Sequence, residues 1–163
     1  MEKRKQDDNL IVMTAKKMNL AQKLLGGVGG VAIVSGGVIS AFLPDQASSY
    51  DTWLVAYLVL VVGVAQVVLG WGLSKLPTKK VASYVYTVFL AFNFGNWLVV
   101  SGTLISDQLL VYVGGAMICF AMVVGLAAIR GAKRTPYLYA YIFMVAIILV
   151  STPVGLILST MRG

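Results

Sequence analysis

The sequence predicts an all-α integral membrane protein, built as a bundle of five transmembrane helices. Of its 163 residues, 59% are hydrophobic and only 12% are charged, whereas a soluble domain is about half apolar and a quarter charged. The apolar residues form five runs, each long enough to cross about 30 Å of hydrocarbon. The basic residues gather in segments that would lie on one side of a membrane.

The five runs define a membrane domain of residues 24–159 with a short polar segment at each end. The predicted spans are residues 24–43, 52–73, 81–105, 109–129 and 137–159. Residues 1–23 form a basic segment, and residues 160–163 form a short tail.

Two structures fit the N-terminal segment. Leu10 and Met13 lie on one helical face, which would make an interfacial helix on anionic lipid headgroups. Lys16 and Lys17 interrupt that face, which suits a solvated tail that only sets topology. The first span could also be a cleaved signal peptide, although the polar segment before it is long for one.

The charge distribution predicts the orientation. All but one of the 13 Lys and Arg residues lie in the N-terminal segment, the second loop or the fourth loop. The positive-inside rule places these segments in the cytoplasm and the C-terminus outside. Trp53 and Tyr57 are expected in the outer aromatic belt, and the short loops suit a prokaryotic plasma membrane. The topology residues, also expected at lipid headgroups, are Lys16, Lys17, Lys23, Lys75, Lys79, Lys80, Arg130, Lys133 and Arg134.

Small residues recur at four-residue spacing on nearly every span, which lets helix backbones approach closely. Gly26 and Gly30 form a GxxxG motif in the first span, and Gly36 with Ser40 repeats the spacing. Such faces suit a tight bundle, a homo-oligomer or docking to other membrane subunits. The further packing residues are Ala91 and Gly95, Ala121 and Gly125, and Ser151, Gly155 and Ser159.

Carboxamides in the second and third spans are the main candidate for a site. Asn93 and Asn96 share a helix face, and Gln66 lies on the preceding span at a similar depth. A carboxamide facing lipid would lose several kcal/mol, so all three should face inward. They predict either a polar pocket with Trp97 as an apolar wall, or interhelical hydrogen bonds worth about 0.6 kcal/mol each.

The fifth span contains the sequence Ser151-Thr152-Pro153 near its middle. The proline removes a backbone hydrogen bond, and the two hydroxyls can satisfy freed carbonyls. The segment predicts either a hinge beside a transport pathway or a shaped packing face.

A shift of 55 residues places the second and third spans over the fourth and fifth. Tyr57 then meets Tyr112, Gly70 meets Gly125, and the basic loops coincide. This alignment predicts two parallel helical-hairpin repeats plus one N-terminal helix, as an alternative to a bundle without repeats.

Missing residue types narrow the function. The chain has no histidine and one cysteine, so no cofactor or metal site is expected. No Asp, Glu, Lys or Arg lies within a span, which disfavours catalysis and ion-coupled transport. We expect a non-enzymatic accessory, assembly or scaffold subunit of a membrane complex, or a homo-oligomer. The alternative is a pore or carrier for a small neutral or lipidic molecule. The expected partners are the bilayer and other membrane proteins, with no nucleic acid.

Overall fold

The computed structural model describes the backbone of residues 2–44, 48–76 and 79–161. Side chains are described for the same ranges except 2–19, 21, 49–50, 79–80, 82–83, 155–156 and 158–161. Within these ranges the chain forms only helices and their connecting turns, with no strand. The helices are α1 (Glu2–Phe42), α2 (Ser49–Tyr57), a π-helical segment (Leu58–Val64), α3 (Ala65–Lys75), α4 (Lys79–Leu104), α5 (Gln108–Ala128) and α6 (Pro136–Met161).

The predicted helical class and number of spans are confirmed. Five stretches are long and apolar enough to cross a membrane, namely Gln22–Phe42, Asp51–Lys75, Tyr84–Leu104, Gln108–Ala128 and Pro136–Val154. The second stretch joins α2, the π-helical segment and α3 without a break.

The N-terminal segment and the first span form one helix. α1 is 41 residues long, about 60 Å at 1.5 Å per residue, and it enters the first apolar stretch at Gln22. The predicted lipid contact of the N-terminal residues depends on side chains, including Lys16 and Lys17, that lie outside the described residues.

Two helical hairpins cross in the same way. In the first hairpin, a Cβ atom added to Gly29 of α1 would lie 2.8 Å from the carbonyl oxygen of Gly63. In the second, a Cβ atom added to Gly95 of α4 would lie 2.8 Å from the carbonyl oxygen of Gly114. Each partner glycine in turn faces the backbone of the first. Only glycine permits such close backbone contact at these positions.

The neighbours of these glycines correspond as well. Val67 is the other close neighbour of Gly29, and Ile118 is that of Gly95. A shift of 66 residues therefore relates α1 to α4, and a shift of 51 residues relates α3 to α5. The structure thus contains two parallel hairpin repeats, but their register differs from the predicted 55-residue shift. The repeats are the first with second and third with fourth spans, and the fifth span is the additional helix.

The close approach in the first hairpin corrects the predicted GxxxG contact. Gly29 and Gly36 face the second span, and a Cβ atom on Gly36 would lie 2.5 Å from Val59 Cγ2. A Cβ atom on Gly26 or Gly30 would meet nothing within 4 Å. The reason is angular, because Gly29 and Gly36 are seven residues apart and share one face, whereas Gly26 and Gly30 are turned away from it.

The remaining predicted packing residues divide into two groups. Ala91, Gly95, Ala121 and Gly125 are buried inside the bundle. Ser40 and Ser151 are exposed, and the side-chain positions of Gly155 and Ser159 lie outside the described residues.

α6 connects the two hairpins through Tyr141. The Tyr141 ring lies against Gly72 of α3, and its hydroxyl would be 2.8 Å from a Cβ atom on Gly125 of α5. Tyr141 is 2% exposed and belongs to a core cluster that also contains Phe92 of α4. The fifth helix therefore packs across both hairpins through one large side chain that fits against two glycines.

The turn between α4 and α5 is short and fully capped. Ser106 adopts a left-handed conformation with φ of 57°, and the amide of Asp107 donates to the carbonyl of Gly102 at 2.7 Å. The Asp107 side chain then accepts from the amides of Leu109 and Leu110 at the start of α5. These contacts satisfy the free carbonyl and amide groups at the adjoining helix ends.

The described basic side chains lie at one end of the bundle. Gly70 of α3 faces Gln22 of α1, which places the α3 end beside the α1 segment that carries Lys23. Tyr141 joins the α3 end to the end of α5, just before Arg130. Lys23, Lys75, Arg130, Lys133 and Arg134 are all exposed there. The side chains of Lys79 and Lys80 lie outside the described residues.

Candidate functional site between the second and third spans

Two hydrogen bonds between side chains connect the second span to the third. The Tyr57 hydroxyl donates to Asn96 Oδ1 at 2.7 Å, and Gln66 Nε2 donates to Asn93 Oδ1 at 3.0 Å. Gln66 is 0% exposed and Asn96 is 3% exposed. The predicted association of the three carboxamides is therefore present, and a tyrosine joins them.

The direction of each hydrogen bond follows from the α4 backbone. Asn93 Nδ2 donates to the carbonyl of Phe89 at 2.8 Å, and Asn96 Nδ2 donates to the carbonyl of Phe92 at 2.7 Å. Because both amide nitrogens are used within α4, both Oδ1 atoms face the second span as acceptors. Gln66 must then present its Nε2 to Asn93, which leaves Gln66 Oε1 without a partner among the described residues.

The π-helical segment explains how Tyr57 and Gln66 both reach α4. Residues nine apart in a regular α-helix point in opposite directions, about 180° apart. The amide of Ala65 donates instead to the carbonyl of Leu60, five residues before it. Each such turn holds an extra residue and changes the angle of everything that follows. Tyr57 and Gln66, which flank the segment, consequently face the same neighbouring helix.

Trp97 does not line this polar contact. It is 61% exposed and stacks on Phe94 with ring centroids 5.6 Å apart. Since Trp97 follows Asn96 directly, it points about 100° away from it around the helix. The prediction that Trp97 forms an apolar wall of the site is therefore wrong.

Ser151 and Thr152 are bonded within α6. Both hydroxyls donate to the carbonyl of Ile148, at 3.2 and 2.8 Å. Pro153 would free the carbonyl of Leu149, one residue later. The two hydroxyls thus bond beside the freed carbonyl and not to it, and neither has a described contact with the carboxamides of α4.

The chemistry of the site is that of neutral hydrogen-bonding groups. Its members are three carboxamides and a phenol, and Gln66 Oε1 is the acceptor left over. The Tyr141 hydroxyl and Gln22 Nε2 are also buried without a partner among the described residues. Cys119 is a partly buried free thiol on α5. In the described part of the chain, no three His, Cys, Asp or Glu side chains group together as metal ligands.

Sequence reasoning missed Tyr57, because a tyrosine near the end of a span suits an interfacial belt. The structure places it against the core cluster, stacked on Trp53 with ring centroids 5.1 Å apart. Its position nine residues before Gln66 contradicted a shared face unless the helix changes pitch. A run of β-branched residues around a glycine, Val59 to Val64 with Gly63, is the only local signal of that change.

Comparisons with protein-family models, with curated proteins and with solved structures found no match. The function is therefore argued from the chain itself.

Proposed function

We propose that this protein is a multispanning membrane protein of a prokaryotic plasma membrane that acts as a non-enzymatic assembly or scaffold subunit, or as a homo-oligomer. In this proposal the N-terminus is cytoplasmic and the C-terminus lies outside. The exposed basic residues at one end of the bundle support that orientation, because cytoplasmic loops carry the excess of Lys and Arg.

The use of the buried polar groups is the observation that carries the proposal. The amide nitrogens of Asn93 and Asn96 and the hydroxyl of Tyr57 all donate within the bundle. They hold α4 against its own backbone and against the second span. Groups committed in this way fix helix packing and leave little polar surface to line a pathway.

The proposal is tested by purifying the tagged protein from its native membrane in mild detergent and identifying what accompanies it by mass spectrometry. Stoichiometric partner subunits, or a defined assembly of identical chains, are the expected results. A monomer that carries no other protein at native abundance contradicts the proposal. Reaction of single cysteines at Lys75 and Ser48 with an impermeant thiol reagent, in a Cys119→Ala background, tests orientation. Ser48 should react from outside and Lys75 only after lysis.

A carrier of small neutral or lipidic molecules is the second candidate. The unpartnered Gln66 Oε1 favours it, since a buried acceptor of this kind can receive a hydrogen bond from a neutral ligand. Native mass spectrometry should then detect a retained molecule that Gln66→Leu releases.

The substitution pair Asn93→Leu and Asn96→Leu separates the two candidates. A subunit should lose stability or assembly, whereas a carrier should lose the retained molecule while the fold is preserved. Leu90→Ala, on the exposed side of α4, is the matched control and should affect neither property.

A further inference from the structure

The two hairpin repeats make one contact with each other that uses a different face of each. α4 of the second repeat turns Asn93 and Asn96 toward Gln66 and Tyr57 of the first. Phe92 and Leu69, which flank these groups on the two helices, are both 0% exposed and lie in one core cluster. One face of α4 and one face of α3 are thus covered by this contact.

The same two faces exist a second time in the chain and are open there. The 66-residue shift relates Phe92, Asn93 and Asn96 of α4 to Gly26, Gly27 and Gly30 of α1. A Cβ atom on any of these three glycines would meet nothing within 4 Å. The first repeat therefore leaves uncovered the α1 face whose equivalent the second repeat buries.

The second repeat leaves the complementary face open. The 51-residue shift relates Leu69 and Ala65 of α3 to Phe120 and Ala116 of α5. Leu69 is 0% exposed and Ala65 is 4% exposed, whereas Phe120 is 54% exposed and Ala116 is also exposed. Met117, the equivalent of Gln66, lies between them on the same helix and is partly buried.

We propose that the contact between the repeats recurs between copies of the chain, with the α1 face of one copy on the α5 face of the next. This inference rests on the proposed function and names the partner as a second copy. Side-chain size supports it, because the glycines on α1 offer room where α5 presents Phe120 and Met117. A helix that meets glycine can approach closely, which is the main source of affinity between helices in lipid.

The two faces differ, so the contact is head-to-tail. A single copy uses its α1 face with one neighbour and its α5 face with another. Because all copies must keep one orientation in the membrane, repeated contacts of this kind turn about the membrane normal and close into a ring.

Pairs of introduced cysteines test this arrangement in membranes, in a Cys119→Ala background. Gly27→Cys with Met117→Cys reproduces the positions equivalent to Asn93 and Gln66, whose side chains are in direct contact. A short bifunctional methanethiosulfonate reagent should convert this double variant into a ladder of multimers. Each single variant should stay monomeric. Gly27→Cys with Met144→Cys is the control, because Met144 is a partly buried methionine on α6.

A second pair of variants keeps the test independent of the cysteines. Gly30→Leu fills the open α1 face without a clash inside the chain, and it should abolish crosslinking of the double variant. Val31→Leu, at the next position and 67% exposed, should leave crosslinking unchanged. Thermal unfolding in detergent checks that both variants fold.

Three results would overturn the inference. Crosslinking of the Gly27→Cys single variant indicates a two-fold contact between α1 helices. Equal crosslinking through Met144→Cys indicates random collision. Absence of multimers in every variant indicates that lipid covers both faces. If a subunit of different sequence co-purifies while no multimers form, the inference fails but the proposed function stands.

Discussion

The glycine crossing predicts a sharp difference between two neighbouring residues of α1. In Gly29→Ala, the new methyl group would lie 2.8 Å from the Gly63 carbonyl oxygen and 3.0 Å from the Val67 amide nitrogen. Ordinary contact begins at 3.4 Å, so the helices must separate by about 0.6 Å at the crossing, the difference between 3.4 and 2.8 Å. In Gly30→Ala, the methyl group meets nothing within 4 Å.

The expected magnitude follows from a comparison of the two variants. Overpacking against backbone atoms destabilises by about 1 to 3 kcal/mol. Replacing glycine by alanine within a helix contributes about 1 kcal/mol in the opposite direction. This second contribution is the same in both variants and cancels in their difference. Gly29→Ala should therefore be about 1 to 3 kcal/mol less stable than Gly30→Ala.

The repeat supplies an independent check. Gly95 faces the carbonyl oxygen of Gly114 at the same 2.8 Å distance, so Gly95→Ala should lose about as much stability as Gly29→Ala. Unfolding of the detergent-solubilised monomer by sodium dodecyl sulfate, followed by circular dichroism, measures all three variants. Equal stability of the Gly29→Ala and Gly30→Ala proteins would refute the crossing geometry. A large loss in Gly29→Ala without one in Gly95→Ala would refute the equivalence of the two hairpins.

Three further predictions use single contacts, each measured by the same unfolding assay. Gly125→Ala should destabilise by about 1 kcal/mol or more, but be harmless in Tyr141→Phe, because only the hydroxyl lies near the new methyl group, at 2.8 Å; an equal loss in both backgrounds contradicts this. Ser106→Gly should stabilise and Gly131→Ala should destabilise, each by about 1 kcal/mol, since both residues have positive φ; the opposite sign in either case would refute the left-handed turns. Tyr57→Phe removes the 2.7 Å bond to the third span and should cost about 0.6 to 2 kcal/mol; an unchanged stability would mean that this bond does not hold the spans together.

The number and limits of the spans could be predicted from sequence because both depend on a total. Whether 20 consecutive residues can enter lipid is decided by their summed apolar surface and by the absence of charge, regardless of which face they present. The third and fourth predicted spans, residues 81–105 and 109–129, accordingly agree with α4 and α5 to within about two residues at each end.

The facing of each helix could not be predicted in the same way. In a soluble protein the polar side of a helix identifies its surface, but a span is apolar on every side. Gly26, Gly29, Gly30 and Gly36 therefore offered two equally regular patterns, one with a spacing of four and one with a spacing of seven. Only the partner helix decides between them, since the Gly63 backbone has to meet one of the two faces.

Carboxamides were the exception, because their cost in lipid forces them inward whatever the partner. That argument correctly brought Gln66, Asn93 and Asn96 together, but it could not find Tyr57, whose ring is equally stable at the membrane boundary. The π-helical segment decides the matter. Without its extra residue per turn, Tyr57 and Gln66 would face opposite sides of the second span, and only one of them could bond to α4. The change of pitch thus turns two isolated polar residues into a paired contact along one helix face, and it is this contact that holds the second hairpin against the first.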